Sequence, residues 1–175
     1  MEASHKPKLS NLLSLFSESQ TIAMAKAGRA LAAEGKPVIN LSFGEPDFDT
    51  PAFIKDAAKK ALDDGYTKYT PVAGIPELKE AIVHKFKRDN NLTYAPNQIV
   101  VSTGAKHAIM NVILALINKG DEVLIPAPYW VSYSDMVKLA GGTPVYIETT
   151  IEDDFKINAA QLEAVVSDKT RLFMF

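Results

Sequence analysis

Between Pro96 and Phe175 strand-patterned and helix-patterned segments alternate, and no other feature narrows the possible folds as much. Ile99–Thr103, Glu122–Pro126, Thr143–Glu148 and Arg171–Phe175 read as strands, with helices predicted at Ala105–Ile117, Val131–Ala140 and Ala159–Val166. Strand–helix–strand alternation with short connections implies right-handed crossovers and a mostly parallel sheet covered by helices on both faces. The fold class is therefore α/β. The Ala105–Ile117 helix is apolar almost all round, which predicts burial. The last strand ends on Phe173, Met174 and Phe175 with no turn or polar tail. A buried parallel strand normally runs on into a ligand-binding loop, so Phe175 is expected to be a truncation point.

The first half is organised differently. A helix is expected at Thr21–Glu34, stopped by Gly35 and followed by Pro37, and Val38–Ser42 is a short strand candidate. After a polar loop from Gly44, Thr50 is placed as the cap of a helix that opens with Pro51, where a missing N–H costs nothing. Its apolar stripe is Phe53, Ile54, Ala57, Ala58, Ala61 and Leu62, and Gly65 ends it. A second loop, Tyr66–Gly74, leads to a helix from Pro76 with its stripe at Leu78, Ala81, Ile82 and Phe86.

Composition removes several function classes. The formal net charge is −2, which argues against a nucleic-acid binder. Lys85, Lys87 and Arg88 fit a solvated helix end that complements the dipole better than a phosphate-tracking patch. With no cysteine, disulfides, thiolate nucleophiles and cysteine metal sites are excluded. Met1–Ser10 is polar, with no apolar run that would make a signal peptide, and the apolar stretch Ile109–Ile117 is too short to span a bilayer. A cytoplasmic location is expected.

Three segments could carry chemistry. Ser102-Thr103-Gly104-Ala105-Lys106 lies between a strand and a helix, where free N–H groups and the helix dipole face an anion. An ordinary βα turn relieved by Gly104 is the other explanation. The segment matches neither the P-loop nor the dinucleotide fingerprint, so a nicotinamide-dependent oxidoreductase gains no motif support. Ala127-Pro128-Tyr129-Trp130 follows the next strand on the same side of the sheet. Trp130, the only tryptophan, could stack on a planar cofactor or simply anchor the core. In Phe43-Gly44-Glu45-Pro46-Asp47-Phe48, Gly44 permits close backbone approach to a small ligand. Glu45 and Asp47 could be an acid/base pair, or a solvated or capping pair. His5, His84 and His107 form no legible serine–histidine–acid spacing, and Glu152-Asp153-Asp154 lacks the spacing of a calcium loop.

Taken in order, these segments resemble class I aminotransferases of pyridoxal-phosphate fold type I. The resemblance rests on Phe43-Gly44-Glu45-Pro46-Asp47-Phe48, Tyr69-Thr70-Pro71 with Gly74-Ile75-Pro76-Glu77-Leu78, and Ser102-Thr103-Gly104-Ala105-Lys106. Gly120-Asp121-Glu122-Val123 and Pro126-Ala127-Pro128-Tyr129-Trp130 complete it. It runs from about Thr21 to Phe175 and is nearest to the bacterial aspartate-specific subgroup.

The resemblance implies a partial large domain of that fold at residues 49–175, truncated after a sheet strand. Residues 1–48 would be an N-terminal arm and part of a small domain. It implies pyridoxal 5′-phosphate as cofactor, held by Tyr69, Gly104, Ala105, Lys106 and Trp130, with no metal. Gly44 and Trp130 would border the substrate. The substrates would be an amino acid, L-aspartate above all, and a 2-oxo acid, and the intact enzyme would be a homodimer. Tyr69 would reach the cofactor phosphate of the neighbouring subunit. The Schiff-base lysine, the acid facing the pyridine nitrogen and the carboxylate-gripping arginine come later in such chains, so these residues alone are expected to be inactive. Lys106 occupies the cradle position and is not that lysine. Two other readings stay open: a non-catalytic cofactor-binding or interaction fragment, and a lyase or synthase using the same cofactor and fold.

Overall fold

The computed structural model describes residues 8–16, 18–42 and 44–175. His5, in the polar lead, and Phe43, at the head of the Gly44 loop, lie outside the described residues. The chain divides into two compact units, Met1–Phe43 with Ile109–Phe175, and Gly44–Ala108.

The first unit holds the sheet. Its strands are β1 (Glu122–Ala127), β2 (Thr143–Glu148) and β3 (Thr170–Phe173), in the order β2-β1-β3 and all parallel. Val123, Leu124 and Ile125 in central β1 are all buried, as a strand covered on both faces requires. With Ile113, Ile117, Met136 and Val137 they form the core. Helices α1 (Gln20–Ala33), α5 (Ser132–Leu139) and α6 (Ala159–Glu163) belong to the same unit. Asn158 caps α6, its carboxamide oxygen accepting from the Gln161 N–H at 2.9 Å. The α6 helix is shorter than the predicted Ala159–Val166.

Asp121 pins the entry to β1. Its carboxylate accepts from the Asn118 backbone N–H at 2.8 Å and lies 3.6 Å from the Arg171 guanidinium. The Asn118 N–H, more than Arg171, holds the Asp121 pKa below the ordinary carboxylate range. A depressed folded-state pKa contributes stability above the unfolded value, and that contribution disappears as pH falls through the folded value. Asp121→Asn is therefore expected to lower the melting temperature most at neutral pH and least in acid, so that the acid limb of the thermal-stability profile flattens; melting temperatures across pH check this.

The second unit contains α2 (Ala52–Asp63), α3 (Pro76–Asn90) and the first turn of α4 (Gly104–Leu116). Helix α2 is capped by Pro51 rather than Thr50. The Pro51 backbone is extended (φ −51°, ψ 141°), so its carbonyl accepts the first helical N–H bonds, from Ile54 at 3.0 Å and Lys55 at 3.2 Å. Helix α3 starts with Pro76 at its first position and ends on Asn91 in the left-handed region, φ 53°. The α2 stripe is open to solvent, with Phe53 74% and Leu62 65% exposed.

Three further expectations are corrected. Val38–Ser42 is not a strand, and Ile39 and Leu41 are almost fully exposed. Ile99–Thr103 is not a strand either: Ile99 is extended (φ −108°, ψ 130°), but its segment joins no sheet among the described residues. An alternating pattern favours extension, whereas a strand also needs a hydrogen-bonding neighbour. Helix α4 is not buried all round, because only one side meets the core at Ile113 while Val112, Leu114 and Leu116 are about half exposed.

Candidate functional site

The helix start at Gly104 is built by local chemistry. Gly104 adopts φ +82°, a left-handed conformation that costs a side-chain-bearing residue but not glycine. Its N–H folds back to the Ser102 carbonyl at 2.8 Å, which turns the chain sharply into α4. A Cβ added at Gly104 would meet nothing within 4 Å, so the space over this turn is open. The Thr103 N–H donates to Nδ1 of His107 at 3.1 Å, which assigns the imidazole proton to Nε2. His107 thus acts as a side-chain acceptor for the turn, a role its place four residues after Thr103 could have signalled. Gly104, Ala105 and Lys106 are exposed, and the first-turn amides of a helix have no carbonyl partner within it. Together with the dipole, they make this end receptive to an anion.

The loop preceding this turn is tied to it. The Val101 N–H donates to the Ala73 carbonyl at 3.1 Å, so Tyr66–Gly74 is anchored one residue before Ser102. Gly74, at φ +102°, lies so close to Val101 that a Cβ there would sit 2.5 Å from Val101 Cγ2. The Tyr69 ring is fully exposed. Gly44 is exposed too, with open space where a Cβ would sit. Glu45 and Asp47 are also exposed.

In the other unit, Trp130 follows the carboxyl end of β1 and is 42% exposed. Its ring meets Tyr133 edge-on at 5.5 Å and 86°, and its carbonyl accepts from the Tyr133 N–H at 2.9 Å. The peptide bond before Pro128 is cis. Tyr129 stacks on Tyr146 of β2 at 5.2 Å and 9°, and the Tyr146 hydroxyl is 2.8 Å from the buried Ser134 Oγ. This trio brings together positions 12 and 17 residues apart through the β1–β2 pairing, and no local pattern in the sequence announces it.

Among the described residues no cluster of His, Cys, Asp or Glu could hold a metal ion, and no helix is long and apolar enough to cross a membrane.

Residues 36–175 match the family of class I and II aminotransferases. Over 167 residues the chain is 56% identical to the aspartate/prephenate aminotransferase of Cereibacter sphaeroides, an alignment covering 95% of this chain and 42% of that protein. It is 51% identical over 166 residues to the aspartate aminotransferase of Bacillus sp. strain YM-2, with the same 95% and 42% coverage. The solved aspartate aminotransferase of Thermus thermophilus with maleate superposes with a TM-score of 0.91 at 40% identity, covering 96% of this chain and 44% of that one. The chain spans about two fifths of the length of these relatives. The parallel sheet with its flanking helices is part of a fold type I architecture, and the chain belongs to the aminotransferase class I and II family.

Proposed function

We propose that the protein containing these residues is a pyridoxal-phosphate aminotransferase that moves an amino group from L-aspartate to a 2-oxo acid. It would work as a cytoplasmic homodimer. What carries the reading is the 56% identity, over nearly the whole chain, to an aspartate/prephenate aminotransferase. On this reading residues 1–48 form an arm and part of a small domain, and 49–175 part of the cofactor domain.

The residues suit the cofactor. A phosphate needs an anion-receptive backbone with room above it, and the Gly104 turn combines a helix start with open space. A planar ring needs an aromatic face within reach of solvent, which half-exposed Trp130 offers. Gly104 and Ala105 would hold the phosphate through backbone N–H groups, and Lys106 would add charge. Trp130 would pack on the ring and border the substrate. Gly44 would place its backbone beside the substrate carboxylate, with no Cβ in the way. When bound, pyridoxal phosphate supplies an electron sink for bond changes at the amino-bearing carbon, while the protein orients it and shapes its electrostatics. On this reading the lysine that bonds the cofactor would lie outside these 175 residues, and activity would belong to the intact protein.

The test is turnover by the intact protein. L-aspartate with 2-oxoglutarate should give oxaloacetate and glutamate in equal amounts. The Cereibacter relative's name also favours prephenate as an acceptor, and the same assay with prephenate tests it. Consumption of aspartate that needs no oxo acid would mark a lyase instead, and no consumption by cofactor-loaded protein would overturn the reading.

Trp130→Ala in the intact protein removes a stacking face worth about 0.5–1.5 kcal/mol beyond burial. Pyridoxal phosphate should bind roughly two- to tenfold more weakly with a shifted absorption maximum and a retained fold. Equilibrium dialysis, cofactor absorbance and circular dichroism check this. Unchanged affinity and absorbance would make Trp130 a packing residue only.

A further inference from the structure

The turn that carries Trp130 is held from two sides. Just past the end of β2 the Thr149 hydroxyl donates to the Ala127 carbonyl, and from within β2 the Tyr146 ring lies flat against Tyr129 at 5.2 Å and 9°. From α5, Ser134, 5% exposed, places its hydroxyl 2.8 Å from that of Tyr146. Tyr133 receives Trp130 edge-on, and its N–H caps the Trp130 carbonyl at 2.9 Å. Tyr129 is the residue between the end of β1's extension and Trp130. Its orientation therefore constrains the backbone from which the indole projects.

We infer that Tyr146 is a positioning residue that acts through Tyr129 and Ser134 to set the attitude of the Trp130 indole toward the cofactor ring. The inference rests on the proposed role of Trp130. Stacking fixes the plane of Tyr129, and the hydroxyl bond to Ser134 fixes where along β2 the Tyr146 ring can sit. Neither contact alone determines both. The Tyr129 phenol adjoins the same hydroxyls, and the interaction with Tyr146, followed by burial, holds its pKa above the ordinary phenol range. A cavity of about 290 Å³ adjoins the trio, lined by Glu18, Gln20, Asp135 and Lys138 among others. Water can enter there, so loss of one hydroxyl leaves its partner hydrated and the fold intact. The expected consequence is a misaimed indole rather than an unfolded turn.

The experiment is a double-mutant cycle in the intact, cofactor-binding protein, read as pyridoxal-phosphate affinity and absorption maximum. Tyr146→Phe keeps the ring and deletes the hydroxyl. It should weaken cofactor binding about two- to tenfold, by no more than Trp130→Ala does, and shift the absorption maximum in the same direction. In a Trp130→Ala background, Tyr146→Phe should weaken binding by less than about twofold. Ser134→Ala deletes the same bond from the other side and should reproduce both results, so the test survives if Tyr146→Phe folds poorly. Unchanged affinity in both single variants overturns the inference, as does an equal loss with and without Trp130. If Trp130→Ala itself leaves binding unchanged, the assigned role of Trp130 fails first, and the inference falls with it.

Discussion

Gly74→Ala in the intact protein is expected to lower stability by about 2–5 kcal/mol, read as a shift in urea midpoint at unchanged slope. Two costs add. The residue sits at φ +102°, where a Cβ is strained whatever the space around it. The new methyl would also lie 2.5 Å from Val101 Cγ2 and 2.8 Å from Val101 Cβ, so one backbone must retreat. The bond most exposed to that retreat is the one from the Val101 N–H to the Ala73 carbonyl at 3.1 Å. Its loss would free the Tyr66–Gly74 loop from the segment entering the Gly104 turn, so cofactor affinity should drop along with stability. Gly28→Ala is the control. That glycine lies inside α1, and a Cβ there meets only Val38 Cγ1 at 3.9 Å, an ordinary contact. It should stabilise by about 0.5–1 kcal/mol through helix propensity. Equal, small effects at both glycines would show that the Gly74–Val101 joint is loose.

Tyr69→Phe should weaken pyridoxal-phosphate binding by roughly ten- to a hundredfold in the intact dimer, on the proposed reading. A phenol donating to a phosphate oxygen makes a charge-assisted bond worth about 1.5–3 kcal/mol, and phenylalanine cannot replace it. The Tyr69 ring is fully exposed, on a loop turned by the Gly74 N–H to Pro71 carbonyl bond at 2.9 Å. An exposed aromatic on an anchored loop suits a group that reaches out of its own subunit. Mixed dimers test this. A Tyr69→Phe chain paired with a chain lacking the catalytic lysine should carry one doubly defective site and one intact site, recovering about half of a normal dimer's activity. Hybrids that form without any site of normal affinity would assign Tyr69 to its own subunit.

Local periodicity made much of the fold legible. The α1 helix, the start of α3 and the β1 and β2 strands lie within about two residues of their predicted bounds, because each is specified by its own spacing, stop glycine or proline. The two absent strands share one reason for failing. Val38–Ser42 and Ile99–Thr103 have extended patterns, but pairing depends on a neighbour that a local pattern does not describe. The overestimated burial of α4 is a similar error, since an apolar helix shows only that it could be covered, not which of its sides is. At the site, the Ser102–Lys106 turn was readable as a glycine-opened helix start. The Tyr129–Tyr146–Ser134 trio was not, since it exists only once β1 and β2 align Ala127 with Glu148. The His107 acceptor lay between these extremes, within helical reach of Thr103 but indistinguishable in sequence from a surface histidine.

The proposed site depends above all on the Gly104 turn holding the cofactor phosphate. The measurement that tests it compares binding of pyridoxal phosphate with binding of pyridoxal, which lacks the phosphate, by the intact protein before and after Lys106→Ala. The unaltered protein should prefer the phosphorylated form by well over tenfold. Lys106→Ala should shrink that preference by about tenfold, the worth of one charge-assisted contact, and leave pyridoxal binding as it was. Equal affinity for both forms, or the same proportional loss of both in the variant, would contradict the account.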